Sequence, residues 1–431
     1  MRFFTICISE RKASRPVAIL SSMNNNTQKS RSLLCLLCLL PLSAVVKADE
    51  NDAFGLITSA SWQYVDNVLY LPDGQRSTAF GPDTPRGDHS YTASAGLTFQ
   101  KRISRQELSA SYVQNMVRYN AITDLDYDGY NAAAGWKWEI GNNLSGQLRY
   151  TSRRYLQGFG DFRTTNPAKN LVNAESYRFD ANYRINPYWA LFGGVSRDTF
   201  ENGLTVRRAS DYEIDRAEFG GRYTTRGGTA FELLVRDSDG DYPNRLPSLN
   251  VTNSYTQKDI EARVRWQPVG HSRLSASIGQ SDRKHANVPA RDYQDVYGRM
   301  SWDWQPTGHL QLTVSAERQI AALEDTFSSY FRTTTYTLAP SWQPTAKLRF
   351  DGRVQRVSRD GSGQTAFTEL LPQLAQNARQ EDITIVSIGA TWSIQRNLSL
   401  SAELRRDERD SNSAFYQYKV NSASATVQYQ F

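Results

Sequence analysis

The sequence is nearly devoid of cysteine. Its 431 residues contain three cysteines, Cys7, Cys35 and Cys38, and all of them lie near the start of the chain. The rest of the chain therefore cannot form a disulfide framework or a cysteine–histidine metal site. A glycine-rich phosphate loop is also absent after residue 48. The stability of this protein must therefore come from another source.

The first 48 residues have the features of a targeting segment. A positively charged stretch at Lys29–Arg31 precedes the apolar run Leu33–Val46, which is too short to span a bilayer. Small residues up to Ala48 fit a cleavage site. We expect residues 1–48 to be an upstream extension and a signal peptide, with translation starting at Met23 and cleavage after Ala48. The alternative, a buried core helix, fits these flanking residues less well.

The excess of positive charge is confined to this leader. The whole chain has 50 basic and 44 acidic residues, a formal net charge of +6. Residues 1–48 hold seven of the bases and one acid, so the remainder carries equal numbers of both. The basic isoelectric point therefore does not indicate nucleic-acid binding, and we expect no nucleic-acid partner.

The chain has no helical apolar stripe of useful length after residue 48, but it repeatedly alternates apolar and polar residues. Examples are YTASAGLTF at 91–99, YRFDANYRI at 177–185, KDIEARVRW at 258–266 and LSLSAELRR at 398–406. This period of two is typical of β-strands with one apolar and one polar face. The mean hydropathy of −0.58 beside 12% aromatic residues suits a polar interior and an apolar exterior.

Two kinds of break separate these strands, and they alternate. The long, polar breaks include Leu71–Asp88, Gly158–Asn173, Gly240–Asn253 and Gly361–Ala378. The short breaks include three near-copies, WQPVGH at 266, WQPTGH at 304 and WQPTAK at 342. The repeat is thus a two-stranded hairpin, and we predict about eighteen strands joined by eight short turns and nine longer loops.

Residues 49–431 are therefore predicted to form an all-β, antiparallel outer-membrane β-barrel in the bacterial outer membrane. An even strand number with both ends on one side is what such a barrel requires. Its surroundings would be outer-membrane lipid and lipopolysaccharide. A soluble propeller packs four short strands per repeat, and a soluble sandwich has turns at steadier spacing, so both fit less well.

The last segment, SASATVQYQF, alternates in the same way and ends on Tyr429 and Phe431. In a closed barrel the last strand pairs with the first, and aromatic residues favour the membrane interface. We therefore predict that Tyr429 and Phe431 act as an assembly signal read by the barrel-assembly machinery. Tryptophans beside the short turns are predicted to form a periplasmic girdle: Trp136, Trp138, Trp189, Trp266, Trp302, Trp304, Trp342 and Trp392.

Facing the apolar residues outward leaves a set of charged residues on the lumen side. About eighteen strands would enclose a water-filled channel. These charges either pair with one another and keep the lumen wet, or offer a path on which arginine favours anionic, uronic-acid-bearing solutes. The predicted lumen residues are Arg149, Arg153, Arg178, Asp180, Arg184, Arg216, Glu218, Arg222, Glu232, Arg236, Asp259, Glu261, Arg263, Arg265, Asp295, Arg299, Asp303, Arg349, Asp351, Arg353, Glu403 and Arg405.

No arrangement of nucleophile and base can be recognised in the sequence. The four histidines are His89, His271, His285 and His309, and none has a serine and an acid at meaningful spacing. His271 and His309 lie in the repeated turns and are expected to be solvated. We expect no catalytic residue, no enzyme activity and no cofactor.

One acidic segment, DSDGDYPN, has the spacing of a calcium loop. Asp237, Asp239 and Asp241 occupy its first, third and fifth positions, but Tyr242 replaces the glycine at the sixth and Ser248 the glutamate at the twelfth. A solvated loop beside anionic lipopolysaccharide is the simpler interpretation, and calcium binding stays open.

Several segments of the chain resemble a known family. They are WQYVDNVLYL at 62–71, KRISRQELSASYVQNMVRY at 101–119, LDYDGYNAAAGWKWEIG at 125–141 with the following NLSGQLRYTSRR, and the terminal VQYQF. In these the chain resembles the EpsL-type outer-membrane proteins of exosortase-associated exopolysaccharide biosynthesis clusters, within the β-barrel porin group. The resemblance implies export of an exopolysaccharide across the outer membrane, with periplasmic or inner-membrane polysaccharide export proteins as partners. A general or carbohydrate-selective diffusion porin and a structural or adhesive barrel are the alternatives.

Overall fold

Eighteen β-strands make up most of the described chain. The computed structural model describes residues 53–161, 167–247, 252–286, 288–321, 328, 330–363 and 378–430. The predicted leader, with its start at Met23 and cleavage after Ala48, lies outside these residues. Among the described residues, no helix has the length and apolar character needed to cross a bilayer.

The strands β1 to β18 follow one another along the chain, with short 3₁₀ turns at Thr123–Leu125, Thr205–Ser210, Pro289–Arg291 and Ala414–Tyr416. Their bounds are β1 Phe54–Val65, β2 Asp88–Ile103, β3 Gln106–Tyr119, β4 Tyr127–Ile140, β5 Leu144–Leu156, β6 Leu171–Arg184, β7 Trp189–Asn202, β8 Tyr212–Thr224, β9 Ala230–Asp241, β10 Ser254–Val269, β11 Ser272–His285, β12 Tyr293–Thr307, β13 Leu310–Ala321, β14 Tyr330–Thr345, β15 Leu348–Ser362, β16 Gln380–Ser393, β17 Leu398–Ser411 and β18 Tyr418–Gln430.

The sheet closes on itself. Each strand pairs antiparallel with the strands before and after it, and β1 pairs with both β2 and β18. The closing register runs from Ile57 opposite Gln430 to Val65 opposite Ser422. Closure removes the open edge, so the strands satisfy one another's N–H and C=O groups, as a hydrocarbon environment demands. The predicted closed, eighteen-stranded antiparallel barrel is confirmed.

The predicted terminal signal is only partly described. Tyr429 lies opposite Thr58 of β1, and its hydroxyl accepts a hydrogen bond from the Asn397 amide at 3.0 Å. Phe431 lies outside the described residues. The role of both residues in assembly stays a prediction.

The two ends of the barrel differ in their connections. Eight short turns join the even-numbered strands to the next odd-numbered ones, and nine longer connections lie at the opposite end, as predicted. Outer-membrane barrels carry short turns in the periplasm and long loops outside the cell. We use these terms for the two ends.

Three of the short turns share one construction. In the turns that begin WQP, the strand register shifts after Trp266, Trp304 and Trp342, where glutamine and proline follow. A proline cannot donate to the ladder and is tolerated at such an irregularity. Thr307 and Thr345 then accept hydrogen bonds from the next turn amides at 3.1–3.3 Å. The repeated motif is therefore a bulged hairpin end, and its histidines, at 271 and 309, are exposed as predicted.

The outer face of the barrel carries large apolar side chains that are exposed along nearly every strand. Examples are Leu97, Phe219, Ile278, Ile388 and Leu404. An apolar surface of this extent would be costly in water and is favourable in hydrocarbon.

The predicted tryptophan girdle is present except at one position. Six of the eight tryptophans are exposed, and Trp304 stacks on its exposed neighbour Trp302 at 5.4 Å between ring centroids. Trp138 is instead buried and stacks on Phe179 at 6.1 Å. Its ring covers Gly146 of the adjacent strand, where a Cβ atom would overlap it. Because Gly146 has no side chain, the Trp138 ring packs against the neighbouring strand, where a lipid contact was expected.

Apolar packing inside the molecule is concentrated at the extracellular end. Val68 and Leu69 of the β1–β2 loop, Ile122 and Leu125 of the β3–β4 loop, and Phe159 of the β5–β6 loop form one buried cluster, which we call the loop cluster. It fixes three long loops against one another and against the barrel mouth.

Candidate functional site

A cavity of about 800 Å³ lies inside the barrel near the short turns, and we call it the periplasmic cavity. Eight bases and five acids line it, so its surface has a surplus of positive charge. These residues are Arg102, Arg105, Lys137, Arg178, Arg222, Arg263, Arg265 and Arg299, with Glu107, Glu139, Asp180, Glu218 and Glu232.

The arginines and acids of this wall form one connected network across β6, β8, β9 and β10. Arg178 contacts Asp180 at 2.7 Å and also Glu218. Glu218 in turn contacts Arg236 at 3.2 Å, and Arg236 reaches Glu261 at 3.9 Å. Mutual pairing of the predicted lumen charges is therefore present in the structure.

A second part of the network centres on Glu232. Its carboxylate contacts Arg222 at 2.6 Å, Arg263 at 3.9 Å and also Arg265. Arg263 also binds Glu261 at 2.8 Å. Three guanidinium groups thus compensate one buried carboxylate, which would be costly to bury without a partner.

Pairing does not make the two charges equally accessible. The Glu232 side chain is 5% exposed, whereas its partner Arg265 is 53% exposed. The other acids of the network are likewise more buried than the arginines that bind them. The carboxylates thus lie against the wall, and the guanidinium groups present the positive charge to the lumen.

The structure brings most of the predicted lumen residues to the inner face. Arg149 lies opposite Arg178 and Asp259 opposite Arg236 in the strand ladder, so these pairs share a face. Arg153 stacks on Tyr155, which lines the second cavity described below. Side chains an even number of positions apart on a strand share a face. Seven more predicted residues lie at such spacing from residues that line a cavity: Arg184, Glu261, Asp303, Arg349, Asp351, Arg353 and Glu403.

Asp295 differs from the other predicted lumen residues. Its carboxylate is buried, lies 3.1 Å from Arg318 and also contacts Arg332. It lines neither cavity among the described residues. For all these residues, a role in the solute path stays a prediction.

A second cavity, of about 1590 Å³, lies near the long loops, and we call it the extracellular cavity. Among the residues that the structure describes, eight arginines, two carboxylates and seven tyrosines line it. The arginines are Arg207, Arg216, Arg245, Arg283, Arg359, Arg379, Arg405 and Arg409, the acids Asp161 and Asp407, and the tyrosines Tyr70, Tyr155, Tyr212, Tyr242, Tyr255, Tyr416 and Tyr418.

Arginines of this cavity stack on its aromatic rings. The guanidinium carbon lies 3.6 Å from the ring centre for Arg245 over Tyr242 and 3.7 Å for Arg283 over Tyr255. Such cation–π contacts fix the plane of the guanidinium group and leave its N–H edge directed elsewhere. The cavity therefore presents aromatic faces and oriented hydrogen-bond donors together.

Sequence reasoning found Arg216 and Arg405 in this cavity and missed the others. Ile383 and Ile385 also line it, so the rule that the apolar face points outward fails in the extracellular half. Arg359 and Arg409 follow the predicted Arg353 and Arg405 at even spacing. Extending the alternation to the strand ends would have identified both.

A contact across the barrel mouth closes one side of the extracellular cavity. Asp161 follows β5, yet its Oδ1 atom accepts a hydrogen bond from Arg359 of β15 at 2.7 Å and another from Arg409 of β17. These strands are eight and six positions away around the barrel. Burial alone would raise the pKa of the Asp161 carboxyl, but the two arginines hold that pKa below its usual range.

The acidic segment that resembled a calcium loop is not a loop. Asp237, Asp239 and Asp241 belong to strand β9, which ends at residue 241, and they alternate with residues of the other face. An extended strand spreads its side chains apart, so the three carboxylates do not wrap around one point. Among the described residues, no group of three potential metal ligands meets the geometry of a metal site.

The C-terminal part of the chain, residues 275–431, matches the family model described as "Putative beta-barrel porin 2". No protein of curated function matches the sequence. The match covers less than half of the chain.

Solved outer-membrane proteins resemble the structure as a whole. Against OccK9 (OpdG) of Pseudomonas aeruginosa the identity is 13% and the TM-score 0.47, covering 88% of this chain and 97% of that one. For OccK2 (OpdF) of Pseudomonas aeruginosa the identity is 12% and the TM-score 0.49, covering 88% of this chain and 98% of that one. For a BenF-like porin from Pseudomonas fluorescens Pf-5 the identity is 12% and the TM-score 0.48, covering 88% of this chain and 99% of that one.

The closed barrel and its exposed apolar exterior identify a bacterial outer-membrane β-barrel protein, and residues 275–431 are similar to a family of β-barrel porins. Its candidate functional surface is the arginine-rich lumen, formed by the periplasmic cavity and the extracellular cavity.

Proposed function

We propose that the barrel conducts acidic carbohydrates across the outer membrane. The observation that carries this proposal is the asymmetry of the lumen wall, where exposed arginines cover recessed carboxylates. A passing solute therefore meets guanidinium groups first, although most of the acids and bases are paired.

The chemistry of arginine favours a carboxylate-bearing solute. The guanidinium group is always charged and offers a planar fork of donors that matches a carboxylate in a bidentate manner. Eight arginines against two acids in the extracellular cavity also raise the local concentration of anions. Neutral solutes gain from neither effect.

The tyrosines of the extracellular cavity favour a sugar over a simple anion. Tyr242 and Tyr255 present ring faces beside Arg245 and Arg283. An aromatic ring offers an apolar surface and, in tyrosine, a hydroxyl group at its edge. A pyranose ring with apolar C–H faces and a carboxylate substituent matches both components of this lining.

A comparison of two sugars tests this proposal. The purified barrel is inserted into planar lipid bilayers, and trigalacturonate or neutral maltotriose is added on one side. We expect trigalacturonate to interrupt the ion current as it enters, and maltotriose of similar length to do so far less often. Equal or stronger block by maltotriose would contradict the preference for acidic sugars, and an absence of any current would contradict conduction.

We further propose, as a second and more specific function, that the cargo is an exopolysaccharide leaving the cell. The segments that resemble EpsL-type proteins favour this direction, and periplasmic or inner-membrane export proteins would then deliver the polymer. A strain lacking the gene should make the polysaccharide precursor but lose polymer from the cell surface. Normal surface polymer in that strain would eliminate export and leave the diffusion porin. Neither proposal includes a catalytic step or a cofactor.

A further inference from the structure

We propose that Arg359, Arg379 and Arg409 form a binding site for the carboxylate of an acidic sugar at the extracellular mouth, and that Asp161 of the same chain occupies this site in the structure. The identity of the ligand rests on the proposed function, whereas the site itself is argued from its contacts.

The site already holds a carboxylate. The Arg359 Nη1 atom donates to Asp161 Oδ1 at 2.7 Å, and Arg409 donates to the same oxygen through Nη2. Arg409 also donates through Nη1 to the Gly160 carbonyl oxygen at 3.0 Å. Both contacts are charge-assisted hydrogen bonds, the strong kind by which guanidinium groups bind carboxylates.

The barrel wall by itself leaves this site positively charged. Glu381 of β16 is fully buried and lies 3.2 Å from Arg379 and 3.6 Å from both Arg359 and Arg409. Within the described part of the chain, three bases therefore share one wall acid. Without Asp161 the group would carry two uncompensated positive charges, which is unfavourable for groups this close together.

Stacking on aromatic rings holds two of the three arginines, Arg379 and Arg409, in place independently of Asp161. The Arg379 guanidinium lies 4.2 Å from the Tyr416 ring centre and 4.8 Å from that of Phe331, and Arg409 lies 4.8 Å from that of Tyr418. Arg379 is nine-tenths buried, and its Nη2 atom has no hydrogen-bond partner among the described residues. A donor of this kind adds capacity for a second carboxylate oxygen.

Asp161 is the exchangeable member of the group. The Asp161 side chain is 42% exposed, whereas that of Arg409 is 2% exposed. Asp161 also belongs to the connection between β5 and β6, whereas Arg359 and Arg409 belong to strands of the barrel wall. The Asp161 carboxylate competes with free ligand for the arginines. The apparent affinity for the ligand is therefore the intrinsic affinity multiplied by the fraction of molecules in which Asp161 has left the site.

Titration of the full-length barrel in detergent tests this assignment. Calorimetry with galacturonate, and with galactose as the neutral counterpart, is performed on the unaltered protein and on Asp161→Asn. We expect Asp161→Asn to bind galacturonate about tenfold more tightly, with no gain for galactose. Adding Arg359→Gln to that variant should abolish the gain, because it removes a donor that is partly exposed.

Asp215→Asn is the matched control, since it removes a carboxylate that pairs with Arg197 at 2.6 Å outside the lumen. It should leave galacturonate affinity unchanged. Equal affinity of Asp161→Asn and the unaltered protein would overturn the assignment, and so would a gain that persists with Arg359→Gln. Retention of the heat-modifiable barrel shows that each variant is folded.

The bilayer measurement keeps the two proposals apart. A barrel that binds galacturonate more tightly without Asp161 but passes no current contradicts conduction and supports the site. A conducting, acid-preferring barrel in which Asp161→Asn gains no affinity contradicts only the site.

Discussion

At the scale of single residues, the lumen separates opposite charges by depth. The acids Glu218, Glu232 and Glu261 are largely buried, and their arginine partners extend toward the lumen. A buried carboxylate is tolerated only with such partners, because desolvation of an unpaired charge is costly. The same contacts that stabilise the wall thus determine the sign of the charge that a solute meets.

Arg265 provides a direct test of this point, because it is the most exposed arginine in contact with Glu232. We predict that Arg265→Glu shifts ion selectivity toward cations. A unit charge about 4 Å from a passing ion contributes about 1 kcal/mol in a water-like dielectric, which corresponds to about a fivefold change in local preference. The measurement is the zero-current potential of the barrel in a potassium chloride gradient.

Arg197→Glu is the control for this change. Arg197 pairs with Asp215, is exposed, and lies on the opposite face of its strand from Phe192, over which Arg222 of the lumen stacks. It should leave the zero-current potential unchanged. If both variants shift the potential equally, a general change in charge explains the effect, and the inner location of Arg265 is wrong.

Gly146 tests the packing under Trp138. A methyl group there would overlap the indole ring and the Asp180 carbonyl oxygen, whereas a methyl group at Gly221 meets open space. Overpacking of this kind costs about 1–3 kcal/mol. We predict that Gly146→Ala lowers the temperature at which the folded barrel converts to the unfolded gel band, and that Gly221→Ala does not. An unchanged temperature for Gly146→Ala would show that Trp138 is not packed there.

At the scale of the element, a single strand changes character along its length. Toward the periplasm β15 and β16 place Val354 and Ile388 outward, as the alternation predicts. Toward the cell exterior the outward residues include Arg356 and Asp382, which lie 3.6 Å apart, and Ile383 lines the lumen. The outer face is therefore apolar only over the depth of the hydrocarbon, beyond which charged groups can contact water and headgroups.

This change explains which part of the site the sequence could predict. Period-two patterning predicts the strands, their number and the inner face over the hydrocarbon depth. It assigns Arg178 and Arg263 to the lumen, and both line the periplasmic cavity. At the extracellular ends of the strands, the outward face is no longer consistently apolar and the inward face is no longer consistently polar. The pattern predicts a loop at Asp239 and Asp241, which belong to β9, because a strand that emerges from lipid has no apolar face.

The last strand is the element on which closure depends. Ala425 of β18 lies opposite Trp62 of β1 and Ala402 of β17. Proline cannot donate to the ladder, so at a fully paired position it removes an inter-strand hydrogen bond. We predict that Ala425→Pro sharply reduces the yield of heat-modifiable barrel. Ala168→Pro, at an exposed position in the β5–β6 loop, should assemble normally, and equal yields would contradict the role of β18 as a fully paired strand.

At the scale of the whole molecule, closure could be predicted because it follows from the environment and not from particular side chains. A sheet in hydrocarbon has to satisfy its edges, so an even set of alternating strands implies a cylinder. The contact of Asp161 with Arg359 and Arg409 had no comparable signal. It joins residues 198 and 248 positions apart, and no local pattern relates a loop carboxylate to arginines on distant strands.

The central claim is that a sealed barrel presents positive charge to its lumen. The zero-current potential of the unaltered protein, measured in planar bilayers separating potassium chloride solutions of unequal concentration, tests this claim most directly. We expect a stable conductance whose zero-current potential has the sign of an anion-selective channel. A cation-selective potential, or a folded barrel that passes no current, would contradict it.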